Sequence, residues 1–247
     1  MSQTGVRVTR ADGWATVAFD RPEALNALTA EVLEAATAAI LGLSDVGVIV
    51  LTGQGRAFSA GVDLKALGDR RLDGGSVGDI LDLPARALIE AITTVPQIVI
   101  AKVNGACFTG ALEIALACDL LVAADEAKFG DTHAKFGLRP TWGMSARLWR
   151  AVGPTRARQL SYTAATFTGR QAAEWGVATD AVPAAALDDR VEELVGAVLA
   201  NSRGSLAAYK DLYRRSFGVG LADGLALEAA STYEITDTEA RVAGFRR

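Results

Sequence analysis

Apolar and polar positions follow two periods along the first two-thirds of the chain, which predicts strands and helices in succession. Asp12-Gly13 separates two segments of period two, a strong signal for a β-hairpin. Short apolar runs bounded by turn residues predict buried strands, and longer amphipathic or apolar segments between them predict helices. The predicted strands are Val6–Arg10, Trp14–Asp20, Val46–Thr52, Gln97–Val103, Leu120–Ala124 and Ala127–Gly130. The predicted helices of this region are Ala30–Leu43, Ile80–Thr94 and Ala111–Cys118.

The C-terminal third shows helical patterns only, so the chain is predicted to be an α/β protein with a helical end. A Gly-rich and charged stretch, Gly68–Asp79, predicts a mobile loop. We find no sequence repeat, low-complexity linker or clear domain boundary. The predicted C-terminal helices are Trp142–Val152, Pro154–Ala165, Thr168–Trp175, Ala186–Asn201, Leu206–Phe217 and most of Ala222–Phe245.

Composition excludes several classes of protein. The 247 residues carry a net charge of −4 with scattered basic side chains, which argues against a nucleic-acid groove. No apolar run approaches the roughly 18 residues of a membrane span, and we expect no signal peptide. Cys107 and Cys118 form no disulfide framework, which favours a reduced, cytoplasmic compartment. Neither a P-loop nor a dinucleotide-binding glycine motif is present.

The chemistry is expected to centre on the third predicted helix. Glu113 is the only charged residue in that apolar segment, and a buried carboxylate is usually paired or functional. Gly110 lies three residues earlier, on the same helical side, with an N–H that has no partner at the helix start. Glycine also lets a ligand approach that N–H closely. A positioned donor beside a carboxylate suits acyl chemistry.

A second N–H donor is expected from the stretch Phe58–Asp63, where Ala60 would face Gly110. Two donors aimed at one oxygen form an oxyanion hole, and losing one donor typically costs about 2.7–4 kcal/mol of transition-state stabilisation. The alternative is a plain strand-to-loop turn with Gly61 at a special backbone angle. For Asp63, we favour a capping role over a chemical one.

Three segments together resemble the enoyl-CoA hydratase/isomerase (crotonase) family. They are Arg21-Pro-Glu-Ala-Leu-Asn-Ala-Leu28, Phe58-Ser-Ala-Gly-Val-Asp-Leu64, and Val103-Asn-Gly-Ala followed by Glu113 and Cys118-Asp119. Later pieces agree and occur in the correct order, namely Phe129-Gly130, Gly137, Trp142-Gly143, Thr168-Gly-Arg and Ala173-Glu-Trp-Gly-Val177. Each piece is a weak signal, whereas the ordered set over nearly the whole chain is a strong one.

The resemblance implies an α/β spiral of ββα units over residues 1–190, followed by a helical oligomerisation region over residues 191–247. It implies a homotrimer or a dimer of trimers. It also implies an acyl-CoA thioester substrate whose carbonyl is polarised by the N–H groups of Ala60 and Gly110. No metal or separate cofactor is expected, since CoA is part of the substrate. The implied substrate-binding residues are Ala57, Ala60, Gly61, Val62, Asp63 and Gly110.

Family hydratases use two glutamates, and the resemblance matches Glu113 to the first and His133 to the second. His133 is either a loop histidine without chemistry or a neutral group that accepts a hydrogen bond from water. Its ordinary pKa of about 6.5 would also suit proton transfer near neutrality. Asp131 is the nearest other carboxylate, but in a helical segment it would face a different side from His133.

The predicted function is hydration of a 2-enoyl-CoA, with Glu113 and His133 as the catalytic residues. Three alternatives stay open within the same family: isomerisation, decarboxylation and thioester hydrolysis. A weak acyl-CoA-binding protein and, with little support, a protein–RNA module are the alternatives outside it. The tail Phe245-Arg246-Arg247 matches the closing pattern of the family only in part.

Overall fold

The computed structural model describes residues 4–66, 68 and 72–245. The predicted loop Gly68–Asp79 lies partly outside this set, and the tail Arg246-Arg247 lies wholly outside it. The strands are β1 (Val6–Ala11), β2 (Trp14–Phe19), β3 (Val48–Gly53), β4 (Ala57–Ser59), β5 (Ile98–Val103), β6 (Ala106–Phe108), β7 (Leu120–Ala124), β8 (Lys128–Gly130), β9 (Thr166–Thr168) and β10 (Asp180–Val182).

Helices follow most of the strand pairs and form nearly all of the C-terminal third. They are α1 (Ala30–Leu41), α2 (Asp79–Thr94), α3 (Gly110–Ala115), α4 (Met144–Val152), α5 (Pro154–Thr163), α6 (Gly169–Trp175), α7 (Leu187–Leu199), α8 (Arg203–Ser216), α9 (Leu221–Ala230) and α10 (Thr238–Phe245). The predicted helical tail is therefore interrupted between α9 and α10. No helix in the described part of the chain is long and apolar enough to cross a membrane.

The larger sheet has the order β1-β2-β3-β5-β7-β10. β1 and β2 form the predicted antiparallel hairpin, and the strands from β2 to β10 are parallel. All six residues of β3 are buried, as expected for a strand covered on both faces. α1 packs against α2 and β2, and the Phe19 and Phe58 rings meet edge to face at 5.7 Å. The predicted strands of this sheet are confirmed.

A second sheet with the order β4-β6-β8-β9 was not predicted as a whole. Its strands have three residues each, too few to show a period. β4, β6 and β8 each follow a strand of the large sheet and run parallel to one another. This repetition of paired strands and helices is the spiral expected of the crotonase fold, and the α/β class is confirmed. The carboxyl ends of β4, β6 and β8 lie together, which positions the site.

The C-terminal helices pack onto the spiral through a buried lysine. Lys210 of α8 donates hydrogen bonds to the carbonyls of Ile92 and Gln97 and forms an ion pair with Asp119 at 2.7 Å. Burial raises the pKa of the Asp119 carboxyl, although Lys210 acts in the opposite direction. The predicted division between residues 190 and 191 falls inside α7 and stays a prediction.

Candidate active site

The carboxyl ends of β4, β6 and β8 surround a cavity of about 100 Å³. Its wall contains all four residues to which the sequence assigned chemistry, namely Ala60, Gly110, Glu113 and His133. Ala60 follows β4, Gly110 begins α3 just after β6, and His133 follows β8. Residues far apart in sequence are therefore brought together by the small sheet.

Glu113 is 1% exposed and lies in the first turn of α3. Its Oε1 accepts hydrogen bonds from the backbone N–H groups of Trp142 at 3.0 Å and Met144 at 2.8 Å. These donors converge because the chain turns at Gly143, where φ is 119° and a Cβ would lie 2.0 Å from the Arg147 side chain. The second oxygen, Oε2, lies 3.5 Å from His133 Nε2. One carboxylate oxygen is thus anchored, while the other meets the imidazole.

His133 is held from behind by Asp131, which is the main correction to the predicted site. Asp131 Oδ1 lies 2.7 Å from His133 Nδ1 and also accepts the His133 backbone N–H, while Oδ2 accepts a 2.6 Å hydrogen bond from Ser161 of α5. The expectation that Asp131 would face another side required a helix. The 3₁₀ turn begins only at His133, so the preceding residues are free to place both side chains together.

The two carboxylates change the charge expected for His133. Burial alone would lower the pKa of its ring, but hydrogen bonds to Asp131 and Glu113 outweigh burial and raise that pKa from 6.5 to about 9. Burial raises the pKa of the Asp131 carboxyl, whereas its hydrogen bonds with His133 and Ser161 lower that pKa. The net result is a lowered pKa. The raised pKa of the imidazole favours a protonated His133 at pH 7 over the neutral form considered from the sequence. The imidazolium holds a proton next to the cavity.

The Ala60 N–H does not face the cavity as the free donor that the sequence predicted, because it already has an acceptor. The Ala60 N–H donates to the Leu25 carbonyl at 2.9 Å, and the Gly61 N–H donates to Ser59 Oγ at 3.1 Å. Leu28 forms a parallel bridge with Val62, in which Leu28 bonds to the Gly61 carbonyl and the Asp63 N–H. In such a bridge the backbone N–H of Val62 points away from Leu28.

Val62 and Gly110 both line the cavity, and their N–H groups have no hydrogen-bond acceptor among the described residues. They are the two donors that the geometry leaves free for a ligand oxygen. Sequence reasoning named Val62 as a substrate contact but did not predict its free N–H, because the bridge to Leu28 joins segments that no local pattern relates.

Two other residues predicted to bind the substrate, Asp63 and Ala57, form hydrogen bonds within the protein. Asp63 accepts a hydrogen bond from the Ala66 N–H at 3.2 Å and pairs with Arg21 at 3.2 Å, in keeping with the favoured capping role. Ala57 is buried, and its carbonyl accepts the Asn26 side-chain amide at 2.8 Å. Contact between CoA and Ala57, Gly61 or Asp63 stays a prediction.

Asp82 of α2 is a buried carboxylate that sequence reasoning missed. It accepts hydrogen bonds from Ser76 at 2.7 Å, Thr141 at 2.7 Å and the Trp142 indole at 2.8 Å. Burial raises the pKa of the Asp82 carboxyl, but the hydrogen bonds from these three donors have the larger combined effect, so its pKa is lowered. The fixed indole packs over Gly110, where a Cβ would lie 2.3 Å from the Trp142 ring. An acidic residue on the buried face of a predicted helix was the available signal.

Comparison with known proteins gives a consistent result. Residues 9–247 match the enoyl-CoA hydratase/isomerase family. A Mycobacterium bovis protein named probable enoyl-CoA hydratase is 33% identical over 245 residues, covering 97% of this chain and 92% of that protein. The crystal structure of an enoyl-CoA hydratase from Bacillus anthracis superposes with a TM-score of 0.85 at 28% identity, covering 91% of this chain and 88% of the other. A Thermobifida fusca protein in complex with CoA superposes with a TM-score of 0.82 at 26% identity, covering 98% and 95%.

Proposed function

The chain belongs to the enoyl-CoA hydratase/isomerase family, and we propose that it adds water to 2-enoyl-CoA thioesters. The observation that carries this proposal is the contact between Glu113 and His133, 3.5 Å apart, in a cavity that also holds two free backbone donors. A proton acceptor and a proton donor are thus supplied by one pair of side chains.

In the proposed complex, the thioester oxygen accepts hydrogen bonds from the N–H groups of Val62 and Gly110. The Val62 backbone is held by its bridge to Leu28 and Gly110 begins α3, so both donors need little reorganisation when charge develops on that oxygen. Conjugation between the carbonyl and the C2–C3 double bond then makes C3 electrophilic. Water bound at Glu113 Oε2 is the nucleophile.

The proposed proton transfers use one group for each step. Glu113 takes a proton from water as the water oxygen bonds to C3, and the electrons of the double bond move to the thioester oxygen. The enolate is then protonated at C2 by Nε2–H of His133. Glu113 now carries one proton more than before and His133 one fewer. Because Oε2 and Nε2 are 3.5 Å apart, a transfer between them restores both groups.

Double-bond isomerisation is the competing reaction, because the same pair can move a proton between carbons without water. Decarboxylation and thioester hydrolysis are further enolate or acyl reactions of the same fold. Product analysis separates these reactions, since only hydration consumes the conjugated double bond and yields a 3-hydroxyacyl-CoA.

The test is loss of the enoyl-thioester absorbance with crotonyl-CoA and a longer 2-enoyl-CoA. Glu113→Gln should lower kcat by about 10²-fold or more while CoA-ester binding persists, because the amide keeps the shape and loses the base. His133→Gln should also lower kcat, whereas Glu126→Gln, at an exposed position, should change nothing. Turnover that survives in Glu113→Gln would contradict the assignment, and a product without a 3-hydroxyl group would favour isomerisation.

The remaining properties are proposed with it. CoA would enter as part of the substrate, with no separate cofactor. A homotrimer or dimer of trimers is supported by exposed apolar side chains on the C-terminal helices, such as Tyr209, Tyr213 and Leu221. A cytoplasmic location is supported by two cysteines that form no disulfide.

A further inference from the structure

Thr109 has an unusual backbone conformation directly before the oxyanion donor Gly110. Its φ is 54° and its ψ is −112°, in a region that β-branched residues rarely occupy. Such a conformation costs about 1–3 kcal/mol and persists only where the surroundings impose it. Glycine would adopt it without that cost. The presence of threonine therefore calls for a compensating interaction of its side chain.

The compensating interaction is a contact between two hydroxyls. Thr109 Oγ1 and Thr132 Oγ1 are 2.5 Å apart, and both threonines line the cavity. The two hydroxyls have no other hydrogen-bond partner among the described residues. Thr109 is also fixed through its backbone, because its N–H donates to Gly130 at 2.9 Å and its carbonyl accepts the Glu113 N–H at 3.0 Å.

The contact joins the two segments that carry the reaction. Thr109 is adjacent in sequence to Gly110, and Thr132 is adjacent to His133. Pairing of β6 with β8 ends at Phe108 and Gly130, so the strands set only the approximate separation of the segments beyond them. The hydroxyl pair is a side-chain link beyond that last strand pair, in addition to the contact between Glu113 and His133.

We propose that Thr109 and Thr132 are positioning residues whose paired hydroxyls fix the distance between the Gly110 N–H and the His133 imidazole. The proposal rests on the proposed function, in which one group holds the thioester oxygen while the other protonates C2 of the same substrate. Misplacement by about 1 Å of one group relative to the other can cost about 10²-fold in rate. The strained backbone of Thr109 is tolerated because it places the hydroxyl for this contact.

The variants Thr109→Gly and Thr132→Val test the proposal. Glycine removes the hydroxyl and relieves the strain, and valine removes the other hydroxyl at nearly constant shape. Each should lower kcat with 2-enoyl-CoA by about ten- to hundredfold with KM little changed. Thr109→Gly should keep or raise the thermal midpoint, which a purely structural residue would not do. The double variant should be no slower than the slower single variant, because both changes break the same contact.

Thr109→Ser and Thr132→Ser are the matched controls, since serine keeps the hydroxyl and should retain most of kcat. Wild-type kcat in both Thr109→Gly and Thr132→Val would overturn the proposal. So would losses that simply multiply in the double variant. A lower thermal midpoint with unchanged kcat would also overturn it, because the hydroxyls would then serve stability alone.

A second readout separates this proposal from the proposed function. The sequence contains one histidine, so imidazole NMR of the labelled protein reports His133 alone. Its titration midpoint should differ from wild type in Thr109→Gly and Thr132→Val, because the ring moves relative to Glu113. If the wild type does not hydrate enoyl-CoA, the proposed function fails and this titration still decides the positioning role. An unchanged midpoint in both variants would then overturn it.

Discussion

Replacing Asp131 by asparagine should lower the pKa of His133 and make catalysis fail at alkaline pH. The change keeps the size of the side chain and removes the negative charge 2.7 Å from Nδ1. Ser161 can still meet the new side chain, so the local packing is preserved. In the proposed mechanism His133 must be protonated to deliver a proton to C2. The variant therefore tests the charge state of His133 through its function.

The magnitude follows from the difference between the ordinary pKa of histidine and the raised pKa of His133 in this site. A rise from 6.5 to about 9 corresponds to about 3 kcal/mol in favour of the protonated ring. At pH 8, a ring of pKa about 9 is roughly nine-tenths protonated, and one of pKa about 6.5 is roughly 3% protonated. Because Glu113 remains in Asp131→Asn, the loss of kcat/KM at pH 8 should lie between about three- and thirtyfold. At pH 6 the loss should be small.

The assay is the pH profile of kcat/KM, which reports the free enzyme, together with imidazole NMR of the single histidine. In Asp131→Asn the alkaline limb and the NMR midpoint should move together to lower pH. Ser161→Ala is the matched control, because it removes a partner of Asp131 and leaves the Asp131–His133 contact intact. Its shift should be smaller. A His133 midpoint equal to wild type in Asp131→Asn would refute the reasoning.

Two further predictions follow from the same structure. Gly110→Ala should lower the free energy of unfolding by about 1–3 kcal/mol and remove most of kcat, because the new Cβ would meet the Trp142 ring. The matched control is Gly196→Ala, where a Cβ meets no atom within 4 Å. This control should be neutral or stabilising in urea unfolding. The raised pKa of His133 stabilises the fold fully below pH 6.5, and this contribution is lost as pH rises through about 9. The urea midpoint should therefore fall over this range in wild type and change less in His133→Gln; equal pH dependence in both would contradict it.

Five of the six strands of the large sheet were predictable because each has five or more residues, enough to show a pattern between turn residues, whereas β10 has three residues and was not predicted. In the small sheet only β8 was predicted, as the strand Ala127–Gly130, since the strands there have three residues each and pair with segments far along the chain. Because β4, β6 and β8 bring the site together, its assembly could be inferred only through the resemblance to a family. Local patterns predicted individual strands and helices, whereas the arrangement of these elements depends on pairing between segments far apart in the sequence.

Within the site, the predictable residues were those with a strong local reason to be unusual. Glu113 was found because an isolated carboxylate in an apolar helix must have a partner. Val62 was missed as a donor because the direction of its N–H depends on the distant bridge to Leu28. Asp131 was misplaced because its orientation was judged for a helix, and the 3₁₀ turn starts two residues later.

The position of Asp131 also explains how this site can hold histidine where the resemblance places a second glutamate. Two glutamates that share one proton carry a net charge of −1, since like carboxylates at close range do not both ionise readily. Here two carboxylates, from Glu113 and Asp131, flank one imidazolium, which again gives −1 with one transferable proton. A neutral histidine without Asp131 would keep the net charge but offer a much weaker acid. The histidine and the aspartate therefore replace the second glutamate together. The change His133→Glu should leave more activity with 2-enoyl-CoA in the Asp131→Asn background than in the wild-type background, where three carboxylates would lie close together.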